Sequence, residues 1–192
     1  MKCLHPQPPR FAPGALRVNV PLLAALLVTS VAMADERRHA EQGPPVPTDL
    51  RVPVGNKLTF RASGVGVQIY VWAPSATDST VYAWTLKAPH ALLFHHGGEV
   101  VGIHFAGPTW ESSSGSKIGG KRLAGVTVDT NAIPWLLLQG VNPSGTGVFT
   151  DVTYIQCLNT LGGLAPSSPG TEPGQEVLVS YMADYLFYHA KP

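Results

Sequence analysis

The chain has 192 residues, 13 lysines and arginines against 12 acidic residues, a net charge of +1, and only 13 % charged side chains. That balance gives no electrostatic basis for binding nucleic acid or an anionic membrane, both of which need a strongly basic face. With charge well below the usual quarter, the surface must be carried by Ser, Thr, Asn, Gln and Gly, a composition suited to an extracytoplasmic β-protein.

Residues 1–34 read as a cleavable signal peptide. Lys2, Arg10 and Arg17 form a basic start, an uncharged run from Pro21 to Ala34 follows, and Ala32-Met33-Ala34 precedes the charged Asp35-Glu36-Arg37-Arg38. The apolar run is shorter than the ~20 residues that span a bilayer, so no membrane span is expected after cleavage. The expected location is therefore exported, either periplasmic or extracellular. Cleavage leaves 158 residues with ten basic against twelve acidic side chains, a net charge near −2. Residues 35–50 are expected to be a flexible lead-in and residues 51–192 a single β domain. Cys3 leaves with the leader, so Cys157 remains alone and reads as a buried small hydrophobe.

Twenty glycines and eighteen prolines cut the rest into short pieces whose period is two. Leu58 and Phe60 open the pattern. Val65, Val67, Ile69 and Val71 then alternate with Gly66, Gln68, Tyr70 and Trp72. Val81 to Leu86 and Ala91 to Phe94 follow. In Val100 to Phe105, Val101, Ile103 and Phe105 share one face, which leaves His104 on the non-core face. Ile133 to Leu138 is apolar throughout, so both of its faces are expected to be buried. Val148 to Leu158 and Val177 to Tyr188 are longer and rich in β-branched and aromatic residues. Tyr181, Tyr185 and Tyr188 would also suit a helix, but the β-branched start favours a strand. About eight short strands make an all-β sandwich or closed barrel.

Catalytic signatures are largely missing. Gly64-Val65-Gly66 lacks the third glycine of a dinucleotide loop and lies within a strand, which argues against an NAD-dependent dehydrogenase. The densest polar cluster runs from His90 to Lys121. If Gly97-Gly98 turns a hairpin, His95 or His96 approaches His104, and Glu99 or Glu111 would complete a zinc or copper site. No cofactor is otherwise expected. Trp110 beside Glu111 suggests stacking on a sugar ring, and Glu111 with Asp129 or Asp151 would pair as acid and base. The competing reading makes Trp110 a core cap and pairs Glu111 with Lys117. His104, Trp110, Glu111 and Lys117 are thus the candidate binding residues. Pro166 to Gly174 reads as a surface loop.

Five segments occur in the order seen in one family: Gly66-Val67-Gln68-Ile69-Tyr70, Gly102 to Ser112, Ala132 to Leu138, Val152-Thr153-Tyr154-Ile155-Gln156, and Gly162-Gly163-Leu164-Ala165-Pro166. The chain resembles the domain of unknown function 3455, found in exported bacterial and fungal proteins, from about Val52 to Tyr188. The resemblance implies an exported single domain and brings no established activity. Some fungal relatives carry a malate dehydrogenase label, for which this sequence holds no supporting motif. The family often has a cysteine after the Gln-x-Tyr strand and another after the Gly-Gly-x-Ala-Pro turn. Here those places hold Trp72 and Ser167-Ser168-Pro169, so the resemblance implies that Trp72 packing replaces a disulfide.

The expected function is an exported binding or envelope-associated module whose partner is a small molecule, a glycan or an envelope component. The alternative is a metal-dependent enzyme or hydrolase using His104, Trp110 and Glu111.

Overall fold

A computed structural model describes residues 44–192, and the predicted signal peptide and most of the lead-in lie outside the described residues. Eight strands follow one 3-10 turn at Thr48–Leu50. They are β1 (Asn56–Pro74), β2 (Tyr82–Phe94), β3 (Val100–Phe105), β4 (Thr109–Ser112), β5 (Lys117–Val126), β6 (Trp135–Ser144), β7 (Val152–Gly162) and β8 (Glu176–Ala190). Each pairs antiparallel with its successor, and β1 also pairs with β8, closing the sheet into a barrel. Closure leaves no unpaired strand edge, and eight strands enclose a lumen just wide enough for side chains or one small ligand. Among the described residues, no helix is long and apolar enough to cross a membrane.

The eight strands are not the eight pieces expected. The two N-terminal runs merge into β1, which is 19 residues long, and the next two merge into β2, which is 13. A register shift at Ile69/Tyr70 lets these long strands bend around the barrel. β4 and β5 lie in stretches to which the sequence pattern assigns no strand. β4 has only four residues, and β5 carries Gly119, Gly120 and Gly125 beside Lys121 and Arg122, all poor strand formers. Pairing with formed neighbours supplies what their own propensity lacks. β8 is a strand along its whole length, as its β-branched start predicts. β6 buries both faces, with Leu138 in one cluster of core residues and Leu137 in another.

The lumen is filled by rings. Phe60, Phe149 and Phe187 meet at 4.6–5.8 Å between centroids, and Trp110 stands edge-on to Phe187 at 5.9 Å. Glycines on the lumen wall make room for them. A Cβ on Gly64 would lie 2.5 Å from the Tyr185 ring, and one on Gly120 would lie 2.9 Å from Trp110. The narrow lumen therefore trades wall volume for ring volume.

A second cluster lies on the outside of the barrel. Leu50 is fully buried with Leu137, Leu158, Leu186 and Tyr188, flanked by Val46 and Val52. The Gln156 side-chain amide donates to the Leu50 carbonyl at 2.7 Å, and the Tyr188 hydroxyl donates to Gln156 at 2.6 Å. The last residues of the lead-in thus cover an apolar outer face of β6, β7 and β8.

Trp72 holds the loop between β7 and β8. Its ring lies so close to Gly170 that a Cβ there would sit 2.4 Å away. Its backbone exchanges hydrogen bonds with Gln175 and Gly174. The Trp84 indole N–H donates to the Ser168 carbonyl at 2.9 Å, and the Trp72 and Trp84 rings are 5.3 Å apart. An aromatic clamp therefore joins the two places for which the resemblance implied a disulfide.

Two outcomes follow. Leu50→Ala should lower unfolding free energy by about 2–5 kcal/mol in urea titrations, the range for a buried leucine. Trp72→Ala should speed amide hydrogen exchange at Gly174 and at position 72 itself while amides in the middle of β8 stay protected.

Candidate functional site

Alternation along two short strands decides where the candidate residues point. On β3, Gly102 and His104 are buried in the lumen, while Ile103 and Phe105 face outward and are partly exposed. His104 is therefore on the core face, a correction to the sequence reading. That reading took the more apolar face as inner, but this lumen is narrow and selects small residues and flat rings. On β4, Trp110 and Ser112 point inward and Glu111 outward. His104 pairs with Trp110 across the strands, and their rings stack at 4.4 Å and 11°. Tyr185 closes on both, at 5.0 Å from His104 and 5.4 Å from Trp110.

The expected cluster is thus divided by the sheet. Glu111 meets Lys117 outside at 3.0 Å, a partly exposed ion pair that contributes little stability. Trp110 and Glu111 cannot address one sugar together, and Glu111 does not join His104. Gly97 and Gly98 do turn the hairpin, with the His95 amide bonded to Glu99 and the Gly98 amide to His95. The register, however, sets His104 opposite Ala91, four residues from His95. His95 and His96 lie exposed at the turn, away from His104, so the proposed histidine set is not assembled. Among the described residues, no three His, Cys, Asp or Glu side chains group as a metal site. The described residues form an antiparallel barrel almost without helix, which is inconsistent with the Rossmann fold of NAD-dependent dehydrogenases.

Beside the His104–Trp110–Tyr185 stack the lumen opens into a cavity of about 280 Å³. Leu86, Pro89, Pro108, Ile133, Leu136 and Leu138 supply its apolar wall, and Gln68, His104, Trp110, Cys157 and Tyr185 its polar atoms. Only Lys87 among the lining residues carries a charge, and its ammonium is bound by the Glu176 carboxylate.

Every other titratable group on the wall is held neutral. Burial drives His104 down to about 4, against a smaller upward pull from its bond to the Thr109 carbonyl. A carbonyl only accepts, so Nδ1–H donates across that 2.9 Å bond and Nε2 is left as an acceptor. Burial pushes the Cys157 thiol up to about 12, with help from the Asp184 charge, so it is a protonated core residue, as its isolation predicts. Tyr185 is likewise raised by burial, and its hydroxyl lies 3.1 Å from that of Tyr181.

Gln68 is the lining residue that sequence reasoning passed over. It stands on β1 between inward-facing Gly66 and Tyr70, and is only 6 % exposed. A glutamine on the ring-and-glycine face of an otherwise apolar strand was the available signal. Tyr70 donates to the Gly163 carbonyl at 2.7 Å, and Gly163 is tight against Gln68 and Ile133, which fixes this end of the wall.

The model of the family described as protein of unknown function (DUF3455) matches residues 53–189. The chain belongs to that family. No curated protein and no solved structure matches it.

The buried imidazole makes stability depend on pH. Its folded pKa lies below its unfolded value, so the unfolded chain takes up a proton that the native state refuses. Stability is complete above about 6.5 and falls as pH drops toward 4. At about 1.4 kcal/mol per unit, this group alone removes roughly 3 kcal/mol over that window. Urea titrations from pH 7 to 4 should show the loss in the wild type and a flatter profile in His104→Phe.

Proposed function

We propose that this member of the DUF3455 family is an exported binding module, periplasmic or extracellular, that holds one small uncharged molecule in the barrel cavity. The leader-like N-terminus and the family match are consistent with export. The observation that carries the reading is the cavity itself. A lumen packed with rings at one end is left open beside His104, with apolar walls and neutral polar groups. Small-molecule sites have this character: concave, mostly apolar, with a few placed polar atoms. In size, about 150 Å³ accepts one benzene, so this cavity suits a two-ring molecule.

Charge argues for the same class. An ionised ligand would lose its hydration against leucine, isoleucine and proline without a lining counter-charge apart from the already paired Lys87. The binding surface proposed from sequence thus moves from the loops into the lumen. His104 and Trp110 remain as wall residues, and Glu111 and Lys117 are left to the outer surface.

Isothermal titration with naphthalene tests the reading. Saturable one-to-one binding is expected, and Ile133→Trp, which places an indole in the cavity, should abolish it while the protein stays folded by circular dichroism. Absence of saturable binding to the wild type by naphthalene, by its lactam analogue quinolin-2-one and by 2-naphthoate alike would refute a ligand site here.

A further inference from the structure

Among the described residues, three buried side-chain polar atoms lack a hydrogen-bond partner: Gln68 Oε1, Trp110 Nε1 and His189 Nε2. Two of the three belong to residues that line the cavity. An unpaired buried polar group costs about 1–3 kcal/mol, so native structures seldom keep one without a use. Here two belong to residues that line one cavity, on side chains 6 % and 1 % exposed.

Their chemistry is complementary. A carboxamide presents an acceptor and a donor side by side, whichever way it is turned. The indole N–H donates only, and the fixed tautomer of His104 leaves Nε2 as an acceptor. The wall therefore offers both hydrogen-bond polarities without a formal charge, inside an apolar enclosure of two-ring size.

We propose that the cavity selects a neutral, planar two-ring molecule bearing an amide-like edge, an N–H beside a C=O, which pairs with the Gln68 carboxamide and accepts from Trp110. This inference rests on the reading of the cavity as a ligand site. Gln68 is a specificity residue in it: the apolar walls hold the rings, and Gln68 distinguishes an amide edge from bare hydrocarbon. A ligand lacking that edge leaves both protein groups unpaired in the complex, which is how polar sites reject apolar analogues.

The test uses three probes of similar size: quinolin-2-one, which carries the lactam edge, naphthalene, which has none, and 2-naphthoate, which is anionic. Titration calorimetry on the wild type should find the lactam at least about tenfold tighter than naphthalene, and 2-naphthoate weakest. Gln68→Met, close in shape and unable to pair, should cut the lactam's advantage to what the Trp110 N–H alone supplies and leave naphthalene unchanged. Gln68→Leu repeats the test if the methionine variant is unstable. Because each variant removes an unpaired amide, each should melt at or above the wild-type temperature. Equal affinity for lactam and naphthalene overturns the inference and leaves the ligand site standing, as does a lactam preference that is undiminished in both variants. Tightest binding of 2-naphthoate overturns the neutral class. Failure of all three probes overturns the ligand site and this inference together.

Discussion

Closing eight strands into one ring sets the diameter of the lumen, and nearly every other feature answers to that narrow tube. Inward positions cannot all be large. Gly64 and Gly120 give up their side chains so that Tyr185 and Trp110 can lie across the axis. The rings then pack from Phe60 edge-to-face on Phe149, tilted from Phe149 to Phe187 and edge-to-face again to Trp110, with His104 stacked on the far side. Edge-to-face contacts of this kind add about 0.5–1.5 kcal/mol per pair beyond area burial. Where the rings stop, the tube is open, and the cavity is the part of the lumen they do not fill.

The same confinement governs the electrostatics. A side chain in the tube has little water and no room for a counter-ion, so each titratable group there stays uncharged. His104 gives up its proton, while Cys157 and Tyr185 keep theirs. Acid sensitivity and a preference for neutral ligands are thus two results of one cause. The outer face is treated differently. Leu50 and its neighbours cover the apolar side of β6 to β8, and Trp72 with Trp84 clamps the loop before β8. With Cys157 unpaired and buried, these packed contacts hold the described segments together without a disulfide.

Period-two alternation made most strands legible, because a pleated chain between two environments must alternate. It did not reveal which environment lay on which side. On β1, Val65 is 41 % exposed while Gly64 and Gln68 are buried. Hydropathy prefers valine inside, but a narrow lumen prefers glycine and flat rings, and closure overrode hydropathy. β4 and β5 were missed for a related reason: β4 is only four residues long, β5 is rich in glycine, and both are held by paired neighbours. The candidate site divided along the same line. His104 and Trp110 fall together in the lumen, yet their neighbour Glu111 was grouped with them because adjacency in sequence was taken for adjacency in space.

The sequence by itself determined the all-β class, the punctuation into strands, the presence of a single cysteine, Cys157, among residues 44–192 and the absence of a nucleotide-binding motif. Each of these follows from local composition or from short-range stereochemistry. Only the tertiary structure decided which face became the lumen, where the tube stayed open, and that Gln68 and Trp110 share its wall. Those outcomes depend on β1 meeting β8, residues more than a hundred positions apart. No local pattern records that pairing, because ring closure is a property of the whole sheet.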